Sequence, residues 1–415
     1  MLKSELNARN MITAINEYVL PVLTYTYGVI KWTEEDIKAI DVRTRKDLNI
    51  CKMFEIRSDV DRLYVPRVLG GRGLVSAWDS FKSTVVRLAH YLCGSSAAQV
   101  MKCKEMDEKC LFSITRKAEK FRSTLSMNIP QNLSEKPLLR QAQIVAQKTK
   151  EAIHQERLDR FVAKPQHGVF FRQLDGCCIA KKLSLSWLTK CHLSPQSEAY
   201  IAAAQELALF TRWHERHIVK KDVSDLCRAC KKEPETMFHI LAGCDVLAKK
   251  EYFDRHNAVA RYVHHIICNK LGVQVVKKWH MHKPPEVFID SRYEILWDMV
   301  IATDRPCGAN RPDIVVRDKG ARKAYLIDVS CPKDVNVNVK EQEKISKYCS
   351  LRVELGRMWD CDCVVVPVVV GGLGTVSEKF QGYIEMIPGD VSSQMCIKIA
   401  LLGSERILRS LLSRK

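Results

Sequence analysis

The chain has 415 residues, a length at which a single hydrophobic core has usually stopped growing, so more than one domain is expected. A hydrophobic content of 46 % and a mean hydropathy of −0.17 exclude wholesale disorder. Sixty-six Lys and Arg against 48 Asp and Glu leave a net charge of +18, which makes a polyanion the expected partner, because each neutralised phosphate releases counterions.

Seventeen cysteines, an odd number scattered along a long chain, do not read as the disulfide framework of a small secreted domain. The first twenty residues carry Lys3, Glu5, Arg9 and Glu17 and read as no signal peptide. The longest apolar run, 363–376, is too short to span a bilayer and contains Pro367, so no membrane partner is expected. A reducing compartment, cytosol or nucleus, is the expected setting.

Residues 1–100 read as helical. Thr33, with Asp36 three residues on, has the spacing of a capped helix start, and Ile37, Ile40, Val42, Leu48 and Ile50 supply its apolar face. The stretch Arg62-Leu-Tyr-Val-Pro-Arg-Val-Leu-Gly-Gly-Arg-Gly-Leu74 interrupts this pattern, because Pro66 and three glycines forbid a regular helix and permit close backbone approach. It reads first as a turn between helices, and alternatively as a loop holding Arg62, Arg67 and Arg72 against phosphates. Residues 101–211 form a basic helical linker with polar breaks such as 128–137. Its stretch 102–164 has fourteen basic and eight acidic residues, a solvated face or else a nucleic-acid track.

Residues 212–283 hold fifteen basic and eight acidic residues and eight of the chain's 12 histidines. Within them, Cys227-x2-Cys230-x8-His239-x4-Cys244 can close a tetrahedron on Zn²⁺. Four protein ligands leave no open position, so such a zinc is structural and holds together a fold poor in apolar residues. Lys231, Lys232, Lys249 and Lys250 flank this knuckle, which suits a nucleic-acid contact. His256 is an alternative ligand, though a structural or DNA-facing role fits it better. His214, His217, His264 and His265 read as surface or packing residues, and Cys177-Cys178 and Cys361-x-Cys363 as buried thiols.

Residues 284–415 read as one α/β unit. The spacing predicts a helix over 286–301, then a hairpin of 314–316 and 325–329 around the turn signal Asp318-Lys-Gly-Ala321. A long helix over 339–359 follows, with Ile345, Tyr348, Leu351, Leu355 and Met358 on one face. A buried strand over 364–370 and two closing helices complete the unit. The hairpin turn pairs positions whose numbers sum to about 640, so Asp313 and Asp328 should lie nearly opposite each other. Two adjacent carboxylates repel unless a cation sits between them, and Mg²⁺ or Mn²⁺ is the natural occupant. Asp328 interrupts an apolar strand, where an unpaired charge is costly. Lys340, Lys344 and Lys347 share one helix face and can orient a water or neutralise a phosphoryl oxygen. Glu294, on the preceding helix, could complete the metal shell.

At these residues the sequence resembles the C-terminal part of non-LTR retrotransposon polyproteins of the restriction-like endonuclease class. Tyr27-Gly28, Trp32 and the 61–74 segment are similar to the thumb and early linker that follow the polymerase palm. Cys227, Cys230, His239 and Cys244 match the family's CCHC knuckle. Arg311-Pro-Asp313, Leu326-Ile-Asp-Val329, Glu343-Lys-Ile-Ser-Lys-Tyr348 and the 365–374 run match its endonuclease, a divergent PD-(D/E)XK fold. The resemblance implies a multidomain chain with a helical thumb-like region at 1–100, the linker at 101–211, the knuckle region at 212–283 and a nuclease at 284–415. It implies Asp313 and Asp328 as metal-binding acids. Ser330 stands where the simple nuclease pattern has its lysine, and in the family that lysine is displaced onto the next helix, which favours Lys344 over Lys347. The implied activity is nicking of target DNA to prime reverse transcription in the nucleus. DNA, element RNA and a polymerase-containing element protein are the implied partners. No Asp-Asp dipeptide occurs, so the polymerase's paired acids are absent from this sequence and its polymerase activity is not implied. A nucleic-acid-binding remnant without catalysis is the alternative.

Overall fold

A computed structural model describes residues 2–125, 127 and 133–414. The predicted polar break at 128–137 therefore lies partly outside the described residues. The structure is mostly helical, with one mixed five-stranded sheet in its C-terminal part. It divides into two compact units, one of residues 1–169 and 192–199, the other of 170–191 and 200–415. Among the described residues, no helix is long and apolar enough to cross a membrane. All seventeen cysteines are free thiols.

In the first unit, helix α1 (Glu34–Ile50) begins with the expected reciprocal cap: Thr33 accepts from the Asp36 backbone, and Asp36 accepts from the Thr33 backbone. Only part of its predicted apolar face is inward. Ile37 and Leu48 are buried, whereas Val42 and Ile50 face solvent. Buried Asp41 takes up part of the inner face, accepting from Ser76 Oγ at 2.6 Å and the Ala77 amide at 2.8 Å. Helix α2 (Ala77–Gly94) supplies Phe81, Val85 and Ala89, one turn apart, to a core shared with Tyr27, Ile37, Ala118 and Val145. Val145 lies on helix α3 (Leu138–Ala163).

The glycine-rich loop is a turn between helices. A short 3₁₀ segment, Arg67–Leu69, ends at Gly70 in the left-handed region, and a Cβ on Gly71 would collide with the Val65 carbonyl. Its arginines do not face outward, which corrects the phosphate-binding alternative. Arg62 is fully buried, and its Nε donates to the Gly70 carbonyl at 3.0 Å. Arg67 and Arg72 grip the buried carboxylate of Glu198, at 2.5 and 3.1 Å. Part of the linker's basic charge is likewise used internally: Arg157 joins Asp61 at 2.8 Å to Asp79 at 2.6 Å, and Lys164 pairs with Asp59.

In the second unit, helix α4 (Met237–Ala242) and helix α5 (Glu251–Lys270) precede the sheet. The predicted helix over 286–301 is instead two strands, β1 (Val287–Ile289) and β2 (Tyr293–Trp297), paired antiparallel. Asp290 makes the turn between them, accepting from the amides of Arg292 and Tyr293 and drawing them out of any helical ladder. Strand β3 (Ile314–Asp318) pairs with β2 and with β4 (Lys323–Ser330), both antiparallel. The β3–β4 rungs run from Asp318↔Lys323 to Ile314↔Ile327, so their positions sum to 641, the register expected for this hairpin, and Asp313 immediately precedes β3.

The predicted long helix is broken into α6 (Val337–Lys347) and α7 (Cys349–Trp359). Tyr348 leaves helical geometry at the junction, because its buried ring and hydroxyl are anchored to the sheet. The chain then returns as β5 (Asp362–Val369), parallel to β4, so β4–α6–α7–β5 is a crossover unit. Ala324, Leu326, Tyr348, Leu351, Leu355 and Val365 form the core between sheet and crossover. Side chains alternate along a strand, so Asp328 shares the face of Ala324 and Leu326 and is turned toward the crossover helices. Helix α8 (Ser393–Leu412) packs against α5. Cys363 is buried as expected, whereas Cys177 and Cys178 are exposed.

Candidate functional site

Two centres within the second unit hold predicted ligands, though not all of them. At the first, Cys227 and Cys230 lie on a tight turn closed by the Cys227 amide on the Glu233 carbonyl at 2.8 Å and by the Lys231 amide on the Cys227 carbonyl at 2.8 Å. Lys231 adopts a positive φ of 55° to complete that turn. Thr236 caps α4, which carries His239, and Cys244 follows just beyond its end. Tyr252 holds this end in place: its hydroxyl accepts from the Cys244 amide and lies within hydrogen-bond reach of the His239 and Ile240 carbonyls.

The four ligand atoms lie within 4.8 Å of one another, with Cys230 Sγ 3.3 Å from His239 Nε2. Burial pushes the Cys227 thiol up to about 11. Burial also opposes ionisation of Cys230, but the amides of Glu233 and Lys232 outweigh it and lower that thiol. Burial lowers His239, which keeps the imidazole neutral as a ligand must be. Three sulfurs and one imidazole nitrogen can hold a metal ion, and the set is compatible with zinc. Lys231, Lys232, Lys249 and Lys250 are all exposed around it, and Lys232 reaches Asp245 at 2.9 Å. His256 is not part of this cluster.

The second centre lies at the ends of β3 and β4. Asp328 is 2 % exposed. Its Oδ1 accepts from the Tyr348 hydroxyl at 2.7 Å, and that hydroxyl also lies 2.9 Å from the Arg311 carbonyl. Lys344 Nζ stands 2.5 Å from Asp328 Oδ2, and Lys347 Nζ stands 4.0 Å from Oδ1. The Lys344 contact is an ion pair without hydrogen-bond alignment, so Asp328 Oδ2 is a buried acceptor with no directed hydrogen bond. Lys340 turns elsewhere and pairs with Glu343. Burial raises the Tyr348 phenol strongly, and the adjacent Asp328 carboxylate adds to the effect, so it stays a donor.

Across the ladder, Asp313 Oδ2 accepts from the Val329 amide at 2.6 Å and faces His256 Nε2 at 3.0 Å. The same nitrogen lies 3.1 Å from the Val329 carbonyl, which can only accept, so Nε2 carries a proton. Burial disfavours charge on His256, but the Asp313 carboxylate outweighs it and the pKa is raised. Glu294 is on strand β2 and does not join the pair. Its register partner is Arg317, four rungs or about 13 Å along the strand from the acids, and its carboxylate binds Arg317 at 3.2 Å and Lys319 at 3.0 Å.

Each carboxylate thus has a basic partner of its own, Lys344 for Asp328 and His256 for Asp313. Sequence reasoning missed His256 and the Tyr348 hydroxyl here. The helical pattern showed Tyr348 only as an apolar residue, and nothing in the local sequence ties His256 to Asp313. The chain matches no protein-family model, and no curated protein matches it.

Proposed function

We propose that the second unit is a metal-dependent DNA endonuclease of the restriction-like kind, the nicking portion of a non-LTR retrotransposon protein. The observation that carries this reading is the meeting of Lys344, from the crossover helix, with Asp328, on the strand paired with the one that Asp313 precedes. Acid, acid and lysine on these elements form the constellation that phosphodiester hydrolysis needs. A bound Mg²⁺ or Mn²⁺ would lower the pKa of an attacking water and offset charge on the phosphorane-like transition state. Asp313 and Asp328 would hold it. Tyr348 would fix the Asp328 carboxylate, and His256 would fix that of Asp313. Lys344, released from Asp328, would face the scissile phosphate, with Lys347 beside it. The knuckle, closed by Zn²⁺, would present Lys231, Lys232, Lys249 and Lys250 to the DNA or RNA backbone, contacts that position without reading sequence. Such an enzyme would act in the nucleus on chromosomal DNA and depend on a separate polymerase for reverse transcription.

Nicking of supercoiled plasmid in Mg²⁺, by the wild type and not by Asp328→Ala, is the expected result. DNA binding by both proteins with nicking by neither, across varied target sequences and with the polymerase partner supplied, would instead favour a binding protein without catalysis.

A further inference from the structure

Beyond the knuckle and the acid pair, a second group of metal-ligating side chains converges inside the second unit. His264 and Cys268 lie four apart on α5, and so one above the other on the same helix face. His282 is brought to them by the single 3₁₀ turn Trp279–Met281, which closes with the His282 amide on the Trp279 carbonyl at 3.1 Å. His264 Nδ1 is 2.8 Å from His282 Nε2 and 3.4 Å from Cys268 Sγ, and all three ligand atoms fall within 4.8 Å of one another. These separations resemble the 3.3 Å between Cys230 Sγ and His239 Nε2 in the knuckle. His264 and Cys268 are wholly buried, and His282 is 5 % exposed.

A hydrogen-bonded histidine pair would account for His264 and His282 but not for the neighbouring His265. Its Nε2 lies 2.8 Å from the Val276 carbonyl, which can only accept, so the proton is on Nε2 and Nδ1 carries a lone pair. That Nδ1 is buried with no hydrogen-bond partner, on a ring centred 5.3 Å from that of His282. A buried, unpaired acceptor of this kind leaves the polar groups around His282 incompletely satisfied.

We propose that His264, Cys268 and His282 bind a second zinc ion. Nitrogen and sulfur donors select zinc over the hard cation expected at the carboxylates. The ligands suit the task electrostatically. Burial, with His282 and His265 alongside, pushes His264 down to about 3, so no proton blocks it. Burial raises the Cys268 thiol to about 11, so metal binding there releases a proton. The edge of Trp297, the last residue of β2, packs on the His264 ring at 5.3 Å. A metal here would pin α5, the 279–282 turn and β2 together. Helix α5 also carries His256, so the same ion would fix the height at which that ring meets Asp313.

The test is a zinc count on the full chain, equilibrated with buffered free zinc, desalted and measured by elemental analysis. Two zinc ions per chain are expected, falling to one in His282→Ala, in Cys268→Ala and, independently, in Cys227→Ser. Replacement of zinc by cobalt in the wild type reads the same point without any variant. Two sites bring four thiolates to the metal and one site brings three, so thiolate-to-cobalt absorption per chain should be about one-third stronger than the knuckle alone gives. One zinc per wild-type chain, removed entirely by Cys227→Ser, would overturn the proposal, as would two that survive both His282→Ala and Cys268→Ala.

Discussion

The hydroxyl of Tyr348 donates to Asp328 Oδ1 at 2.7 Å, from the residue at which the crossover helix breaks in two. One side chain thus ends a helix, fills the core and fixes a carboxylate. Tyr348→Phe keeps the ring and removes the donor, leaving Asp328 Oδ1 short of a partner in a buried place. The expected cost is about 1–2 kcal/mol of stability. In thermal melts the midpoint should fall by a few degrees, and nicking should weaken while DNA affinity holds. Unchanged melting would mean that water replaces the hydroxyl.

Lys344 and Lys347 separate by distance, 2.5 against 4.0 Å from Asp328. Lys344→Ala should lower the nicking rate by about 100-fold or more, as loss of a transition-state donor does. Lys347→Ala should lower it by less than about 10-fold. Single-turnover rates at saturating DNA would read the order, and a reversed order would move the catalytic role to Lys347.

The buried arginines and the exposed lysines should respond oppositely. Arg72→Ala leaves the carboxylate of Glu198 underpaired in the first unit, and breaking a buried pair costs about 3 kcal/mol. It should lower stability in urea and leave the salt slope of DNA binding alone. Alanine at Lys231, Lys232, Lys249 and Lys250 should do the reverse. The slope of log affinity against log salt should shrink by about one for each lysine that touches a phosphate.

Asp59 gives a pH prediction for the first unit. Burial works against its charge, yet His167 and Lys164 outweigh it and lower its pKa from 3.8 to about 2. A depressed carboxylate stabilises the fold above its unfolded pKa, and that contribution is lost as pH falls through the folded one. Stability should therefore drop between about pH 4 and pH 2, by about 1–2 kcal/mol after allowing for the partly exposed Lys164. Asp59→Asn should flatten that part of the urea-midpoint profile. A wild-type profile matching the variant's would show that the pair contributes nothing.

What could be read in the sequence were features fixed by neighbours in the chain. The Thr33 cap spans three residues, and the β3–β4 register follows from a turn and two short apolar runs, so both were visible. The knuckle ligands were visible for the same reason, lying within eighteen consecutive positions. The strands at 287–297 were not, because Val287, Ile289, Ile295 and Leu296 fit a helical stripe as well as an alternating one. Only the Asp290 turn decides between them. Arg67 and Arg72 of the glycine-rich loop were ambiguous, since their partner Glu198 enters from more than 120 positions away. His256 was hidden likewise, 57 positions from Asp313.

The parallel crossover also sets an order of assembly. Asp313 and Asp328 belong to consecutive hairpin strands, and closing so short a loop is fast. Lys344 and Tyr348 come from the crossover between β4 and β5, a later and less local step. During refolding the two carboxylates would face each other before Lys344 reaches them. Solvent cations would have to relieve their repulsion in that interval, so millimolar Mg²⁺ should speed the early phase of refolding in the wild type and not in Asp313→Asn; equal rates in chelator would remove the effect. Lys344 would then arrive as a late replacement for that ion.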